Sequence, residues 1–500
     1  MERINYKLKV SSSLSHLYDL RSPLEIPFRA SYQDCSGELK RPSPAAMGPP
    51  PDTSKTAKID RYNSYLGRLN SAKLLAASSH LLFRATLLTA VVLLLFLTLQ
   101  SPLLPFSSSY SSSPSPHRSL LTSLSSSPSS PAGIRRSATP RHPNGLSVLV
   151  TGAAGFVGFH CSLVLKKRGD GVVGLDNFNS YYDPSLKRAR QYLLARHGVL
   201  IVAGDINDSS LLAKLFALHP FSHILHLAAQ AGVRYAARNP NSYVASNVAG
   251  LVSVLEAAAK SADPQPAVVW ASSSSVYGLN TDSPFSELHR TDRPASLYAA
   301  TKKAGEAIAH AYNHIYGLSV TGLRFFTVYG PWGRPDMAYF FFTKAILAGK
   351  PITIFRTAAG DEVARDFTYI DDVVKGCLGA LDTSQRSTGV AGKKTSPAQL
   401  RVYNLGNTSP VPVSRLVAIL EGLIGVKAKK NVVTMPSNGD VPFTHANVSL
   451  AAGDFGYRPT TDLSTGLRKF VKWYVQYYGI KLKEGVGGGD DDKAEGASKE

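Results

Sequence analysis

Cysteine is scarce in this chain: 500 residues hold three, Cys35, Cys161 and Cys377, far apart and in no paired spacing. That excludes a disulfide scaffold and a cysteine-ligated zinc site, and no metal site is expected. Acidic residues are also few, 35 against 55 Lys and Arg, which leaves a formal net charge of +20. Such an excess invites a nucleic-acid reading, yet the basic residues are spread along the chain and no stripe interleaves them with aromatics. An anionic small molecule or an acidic membrane face fits the charge as well. At 44% apolar and 18% charged the chain can still fill a core, so wholesale disorder is excluded. The 31 prolines, 40 glycines and several serine runs mark stretches outside that core.

One run has no charge at all. Between Ala85 and Phe106 every residue is uncharged, and Ala85–Leu99 is almost wholly apolar. About 20 such residues cross a bilayer as a helix. A polar stretch precedes the run, so 85–106 is expected to be a retained anchor and not a cleaved signal. Arg68, Lys73 and Arg84 lie before it, whereas the first basic residue after it is Arg118. This asymmetry places the N-terminus in the cytosol and the remainder in a lumen. The expected organisation is a disordered tail over 1–84, a Ser/Pro-rich stalk over 107–145, and a flexible acidic tail over 481–500. The folded part then runs from Leu146 to about Tyr478.

That part opens on a short β-branched run, Ser147–Thr151, followed at once by Gly152-Ala-Ala-Gly155-Phe156-Val157-Gly158 and a helical stretch over Phe159–Arg168. Strand, glycine turn and helix in that order form a dinucleotide fingerprint. Gly152 allows the tight turn, Gly155 the approach of backbone to pyrophosphate, and Gly158 close packing of helix on strand. A second strand ends in Asp176 and Asn177, where a carboxylate can accept hydrogen bonds from ribose hydroxyls and repel a 2′-phosphate. NAD is therefore expected, not NADP. Further strands end near Asp205 and Ile206, near Ala228 and Gln230, and at Ser272, each separated by a helical stretch. The alternation predicts an α/β fold, a Rossmann-type doubly wound parallel sheet with ligands at the carboxyl ends of its strands.

Tyr298-Ala-Ala-Thr-Lys302 sets a phenol and an ammonium four apart on one helical face, so the cation can favour phenolate. Joined to the glycine turn, Asp176 and the run Ser272-Ser-Ser-Ser-Val-Tyr-Gly278, it resembles the extended short-chain dehydrogenase/reductase family, specifically its nucleotide-sugar epimerases. Leu323-Arg-Phe-Phe-Thr-Val-Tyr-Gly-Pro-Trp-Gly-Arg-Pro-Asp-Met337 looks like the UDP-glucuronate 4-epimerase branch, and with the anchor the chain resembles its plant Golgi type.

The resemblance implies Tyr298 as the catalytic base, Lys302 as the group that lowers its pKa and holds the nicotinamide ribose, and a serine bridging Tyr298 and substrate. Alignment on Val276-Tyr277-Gly278 puts Ser273 at that position; Ser275, two residues on, would face the same side of a continuing strand. For a UDP-sugar the resemblance implies Arg365 on the diphosphate, Thr327 and Arg334 at the C6 carboxylate, Asn247 on diphosphate or sugar, and Gln230 beside the cofactor. Near Asp440–His445, where many relatives carry a second diphosphate arginine, the sequence has none. The implied division is an NAD-binding domain over 146–331 and a mainly substrate-binding subdomain over 332–480. It further implies Golgi-membrane residence and a homodimer, with no nucleic-acid partner.

Rival chemistries on this fold need other residues. Nucleotide-sugar dehydratases use a paired acid and base ahead of Val-Tyr-Gly, and UDP-glucuronate decarboxylases typically keep a Glu where Ser275 stands; both carboxylates are missing. Asn207, Asn407 and Asn447 begin Asn-x-Ser/Thr sequons, acceptors for glycosylation in a luminal domain.

Overall fold

A computed structural model of the chain describes residues 130–436 and 439–482. The expected tail, the apolar run 85–106 and the acidic C-terminus fall outside them.

Elements follow in chain order: α1 (Pro131–Ala138), β1 (Ser147–Thr151), α2 (Phe156–Arg168), β2 (Gly171–Asp176), α3 (Pro184–Arg196), β3 (Leu200–Ala203), α4 (Ser209–Leu218) and β4 (His223–His226). A long helix, α5 (Pro240–Ser261), leads to β5 (Ala267–Ser273), α6 (Leu297–Tyr316) and β6 (Val320–Phe325). Then come β7 (Thr327–Tyr329), α7 (Ala338–Leu347), β8 (Pro351–Arg356), β9 (Ala364–Tyr369), α8 (Ile370–Asp382), β10 (Gly389–Val390), β11 (Lys393–Lys394) and β12 (Leu400–Leu405). The chain closes with β13 (Pro410–Pro412), α9 (Val413–Ile424), β14 (Lys429–Thr434), α10 (Ser449–Phe455) and α11 (Leu463–Tyr477).

Seven parallel strands in the order β12-β6-β5-β4-β1-β2-β3 make the main sheet. Its central strands are buried on both faces, which is why Ser147–Thr151 and Gly171–Asp176 read as continuous and not alternating hydrophobic runs. Helix starts are set locally: Asp183 caps α3 ahead of Pro184, Asp208 caps α4, and Ser296 caps α6. The strand order reverses between β1 and β4, so a crevice opens above their carboxyl ends. A smaller lobe is built from the three-stranded sheet β13-β9-β7, the pair β14-β8, and helices α7, α9 and α11.

Two boundaries differ from expectation. The stalk was expected to reach residue 145, but Pro131–Ala138 within it is helical and packs on β2, with Ile134 and Ala138 buried. Ser137 Oγ donates to Val172 O, and Lys166 Nζ donates to Ser137 O at 3.0 Å, so the helix is tied to the sheet. The second boundary, at 331/332, does not divide the core: β12 returns to pair with β6, and α8 packs on α2. Among the described residues α5 is the one helix long and apolar enough to cross a membrane; half of it is buried, and it packs against α6 as a core helix.

Candidate active site

Above the switch point lies a cleft with two lobes, of about 230 and 570 Å³, that meet at Tyr181, Ser273, Tyr298 and Arg334. The first lobe is the fingerprint in three dimensions. Gly152 has φ +70°, and a Cβ on Gly158 would lie 2.2 Å from Gly152 O, so neither position takes a side chain without moving backbone. Helix α2 starts at Gly155 with no side-chain cap, which leaves the amides of its first turn to whatever the lobe holds. Asp176 accepts from Ala154 N at 3.1 Å and Phe178 N at 2.8 Å, and Lys187 Nζ stands 3.5 Å from it. Asp205 accepts from Asn177 Nδ2 at 2.8 Å, which closes the far end. All of Gly152, Gly155, Phe156, Val157, Gly158, Asp176, Asn177, Asp205, Ile206, Ala228, Gln230, Tyr298 and Lys302 line this lobe.

Where the lobes meet, Ser296 caps α6 and places Tyr298 in its first turn, with Lys302 one turn on. Lys302 Nζ donates to Ala271 O at 2.7 Å, and burial pulls its pKa down to about 7. Burial raises Tyr298, while the Ser273 hydroxyl beside it pulls the other way. Below this pair runs a buried polar chain. Ser272 Oγ donates to Glu306, Glu306 accepts both arms of Arg324 at 2.8 and 2.9 Å, Arg324 donates to Tyr277 OH, and Tyr277 donates to Asn404 at 2.7 Å. It fixes α6 against β5, β6 and β12, and with them the distance from the serine run to Tyr298.

Of the two serines, Ser273 lines both lobes and faces Tyr298; Ser275 lines only the second. The strand ends at Ser273 and Ser274–Tyr277 is a 3₁₀ turn, so the two-residue alternation that put both serines on one side stops there. Thr327, Arg334 and Arg365 line the second lobe. Asn247 does not: it is 4% exposed, and its amide holds Gln230 N and O and Thr301 Oγ1, pinning the loop after β4 to α6.

Several residues that line or brace the cleft had no sequence signal. Arg365 Nη2 donates to Asp440 Oδ1 at 3.0 Å, and Arg234 Nη2 reaches the same carboxylate at 2.8 Å. A second arginine therefore does stand near Asp440, supplied by the segment after β4. Arg190, fully buried, donates to Ala154 O at 2.9 Å, to Tyr182 OH, and to Trp332 O at 2.6 Å, while His160 Nε2 donates to Pro331 O. These two side chains tie the glycine turn to the segment that carries Arg334. Burial pushes the Asp336 carboxyl up, but Arg334 outweighs it and holds the group below its ordinary value.

The family model described as "NAD dependent epimerase/dehydratase family" matches residues 148–406. A protein of Arabidopsis thaliana, UDP-glucuronate 4-epimerase 6, is 70% identical over 440 residues, covering 86% of this chain and 95% of that protein. UDP-glucuronate 4-epimerase 2 of the same plant is 70% identical over 364 residues, 73% of this chain and 84% of that one. Among solved structures, the UDP-glucuronic acid 4-epimerase of Bacillus cereus in complex with UDP-glucuronic acid and NAD is 33% identical, with a TM-score of 0.58 over 66% of this chain and 99% of that chain. With the glycine turn, the Tyr298–Lys302 pair and the first lobe of the cleft all inside the matched span, the chain belongs to the NAD dependent epimerase/dehydratase family.

Proposed function

We propose that this chain interconverts UDP-glucuronate and UDP-galacturonate by transient oxidation at C4 of the sugar. The observation that carries the reading is the meeting of two lobes at Tyr298, with Arg334 at the same junction. The first lobe suits NAD: a turn that only glycine can make, an uncapped helix start for a diphosphate, and a strand-end carboxylate for a free ribose. Gly155, the α2 amides, Asp176 and Lys302 would hold it, and when bound it supplies a reversible hydride acceptor.

The chain's own residues do the rest. Tyr298 Oη takes the proton of the sugar 4-hydroxyl, with Ser273 Oγ between phenol and substrate oxygen and Lys302 favouring the phenolate. The resulting 4-keto sugar turns in the second lobe and is reduced on its other face, and Tyr298 returns the proton. A buried carboxylate needs a partner, and Arg334 with the Thr327 hydroxyl supplies one at C6. Arg365, with Arg234 across Asp440, is the cation assigned to the diphosphate in this reading.

The same reading extends to setting: 85–106 as a single type II anchor, a luminal catalytic domain in the Golgi, a homodimer, and galacturonate for pectin-type polysaccharides. Its supports are the charge asymmetry around that run and the likeness of the chain to the plant proteins.

Incubation with UDP-glucuronate followed by NMR of the products tests the activity. UDP-galacturonate is expected, without carbon dioxide or net NADH, and Tyr298→Phe is expected to lose about 10²–10⁴-fold in rate while still binding UDP-glucuronate. UDP-xylose as the product would instead identify a decarboxylase.

A further inference from the structure

The guanidinium assigned to the substrate's acid group is not free. Arg334 Nε donates to Asp336 Oδ1 at 3.0 Å and Nη2 to Asp336 Oδ2 at 2.5 Å, so one carboxylate takes the Nε–Nη2 edge of the guanidinium. Tyr181 OH donates to the same Oδ2 at 3.0 Å. Arg334 and Asp336 side chains are 23% and 26% exposed, and both line the second lobe, so the pair sits at the open wall of the cleft. A sugar acid that reaches Arg334 must therefore share the guanidinium with Asp336, a like charge on its Nε–Nη2 edge. A neutral sugar meets no such competitor.

We infer that Asp336 is a specificity-determining residue: an internal carboxylate that occupies the Arg334 fork at rest and competes with the carboxylate of the substrate, Tyr181 being the donor that holds Asp336 when it yields the fork. The inference rests on the reading that Arg334 receives the C6 carboxylate of UDP-glucuronate. Competition of this kind sets the affinity for the acid below what a free guanidinium would give, and it keeps the arginine neutralised whenever the sugar is absent. It also makes the acid exchangeable, because Asp336 is ready to take the fork back as product leaves.

The test compares dissociation constants of UDP-glucuronate and UDP-glucose for the NAD-loaded protein, by calorimetry. Asp336→Asn keeps the shape and removes the charge; the acid is expected to bind about tenfold tighter, with little change for the neutral sugar. Tyr181→Phe removes the holding donor and leaves Asp336 on Arg334, so the acid is expected to bind several-fold more weakly, again selectively. Weaker or unchanged acid binding in Asp336→Asn, or equal shifts for both sugars, overturns the inference and makes Asp336 a mere support for Arg334. Should Asp336→Asn not fold, the selective loss in Tyr181→Phe decides, and an unselective one overturns the inference. Arg334→Ala separates the two levels: an unchanged acid preference there removes the underlying reading itself.

Discussion

His226 sits at the end of β4, 4% exposed, sharing a hydrogen bond with Thr151 Oγ1 at 2.8 Å, and burial, then Lys302, pushes its pKa down to about 3. His160 is likewise pushed down to about 4, burial being the larger cause. In the unfolded chain both return to about 6.5. As pH falls below that value the unfolded state takes up protons that the folded state refuses. The sign follows: stability present above pH 6.5 is lost as pH falls toward the folded values, at up to about 1.4 kcal/mol per pH unit for a group such as His226. Melting is expected to move to lower temperature between pH 6.5 and 4, and His226→Asn to reduce that slope by about one proton. An unaltered slope in the variant would show that His226 is already charged when folded. Residues of this kind differ in legibility. Gly152, Asp176, Tyr298 and Lys302 act through local backbone or fixed spacing, so the sequence displays them. Asp336 and Arg190 do not: Arg-Pro-Asp reads as a polar loop and Lys187-Arg-Ala-Arg190 as a solvated basic helix face, and only tertiary packing buries Arg190 and brings Asp336 to the cleft.

Among elements, α1 shows how composition misleads. Its neighbourhood is rich in Ser and Pro, yet Pro131 at the first helical position and Ser130 as cap are helix-starting signals, and two apolar residues on one face suffice to dock it. Burying Ile134 and holding Ser137 and Lys166 contributes about 2–4 kcal/mol. A protein that begins at residue 146 is expected to unfold at a lower denaturant concentration than one that begins at 130, with unchanged catalytic residues and a shift of that size. Equal midpoints would reduce α1 to decoration. The parallel sheet, in contrast, was legible because β1, β2 and β3 are apolar runs closed by Gly or Asp and the later strands alternate with helical stretches. The 3₁₀ turn at Ser274–Tyr277 was not, since four consecutive serines carry no period that tells strand from turn.

For the whole molecule, the proposed anchor at 85–106 carries an orientation that can be tested. The cationic residues before 85 and the uncharged run after it motivate a type II arrangement. Protease added to sealed Golgi vesicles is expected to remove the N-terminal tail and spare the fold that carries Tyr298, and its digestion would reverse the orientation. The interleaving of the two lobes, in place of two successive domains, is what the sequence could not convey, because nothing local marks a strand that leaves one lobe and rejoins another.

Strand β12 has a consequence for biosynthesis. The main sheet is completed only when Leu400–Leu405 pairs with Val320–Phe325, after the whole of β7 to β11 has been made. A ribosome therefore releases the dinucleotide-binding half long before its edge is closed, with β6 presenting unpaired backbone in the interval. Nascent chains of this protein cannot finish their core in order of synthesis; the step that seals it joins segments far apart in sequence and waits for the polypeptide to have emerged past Leu405.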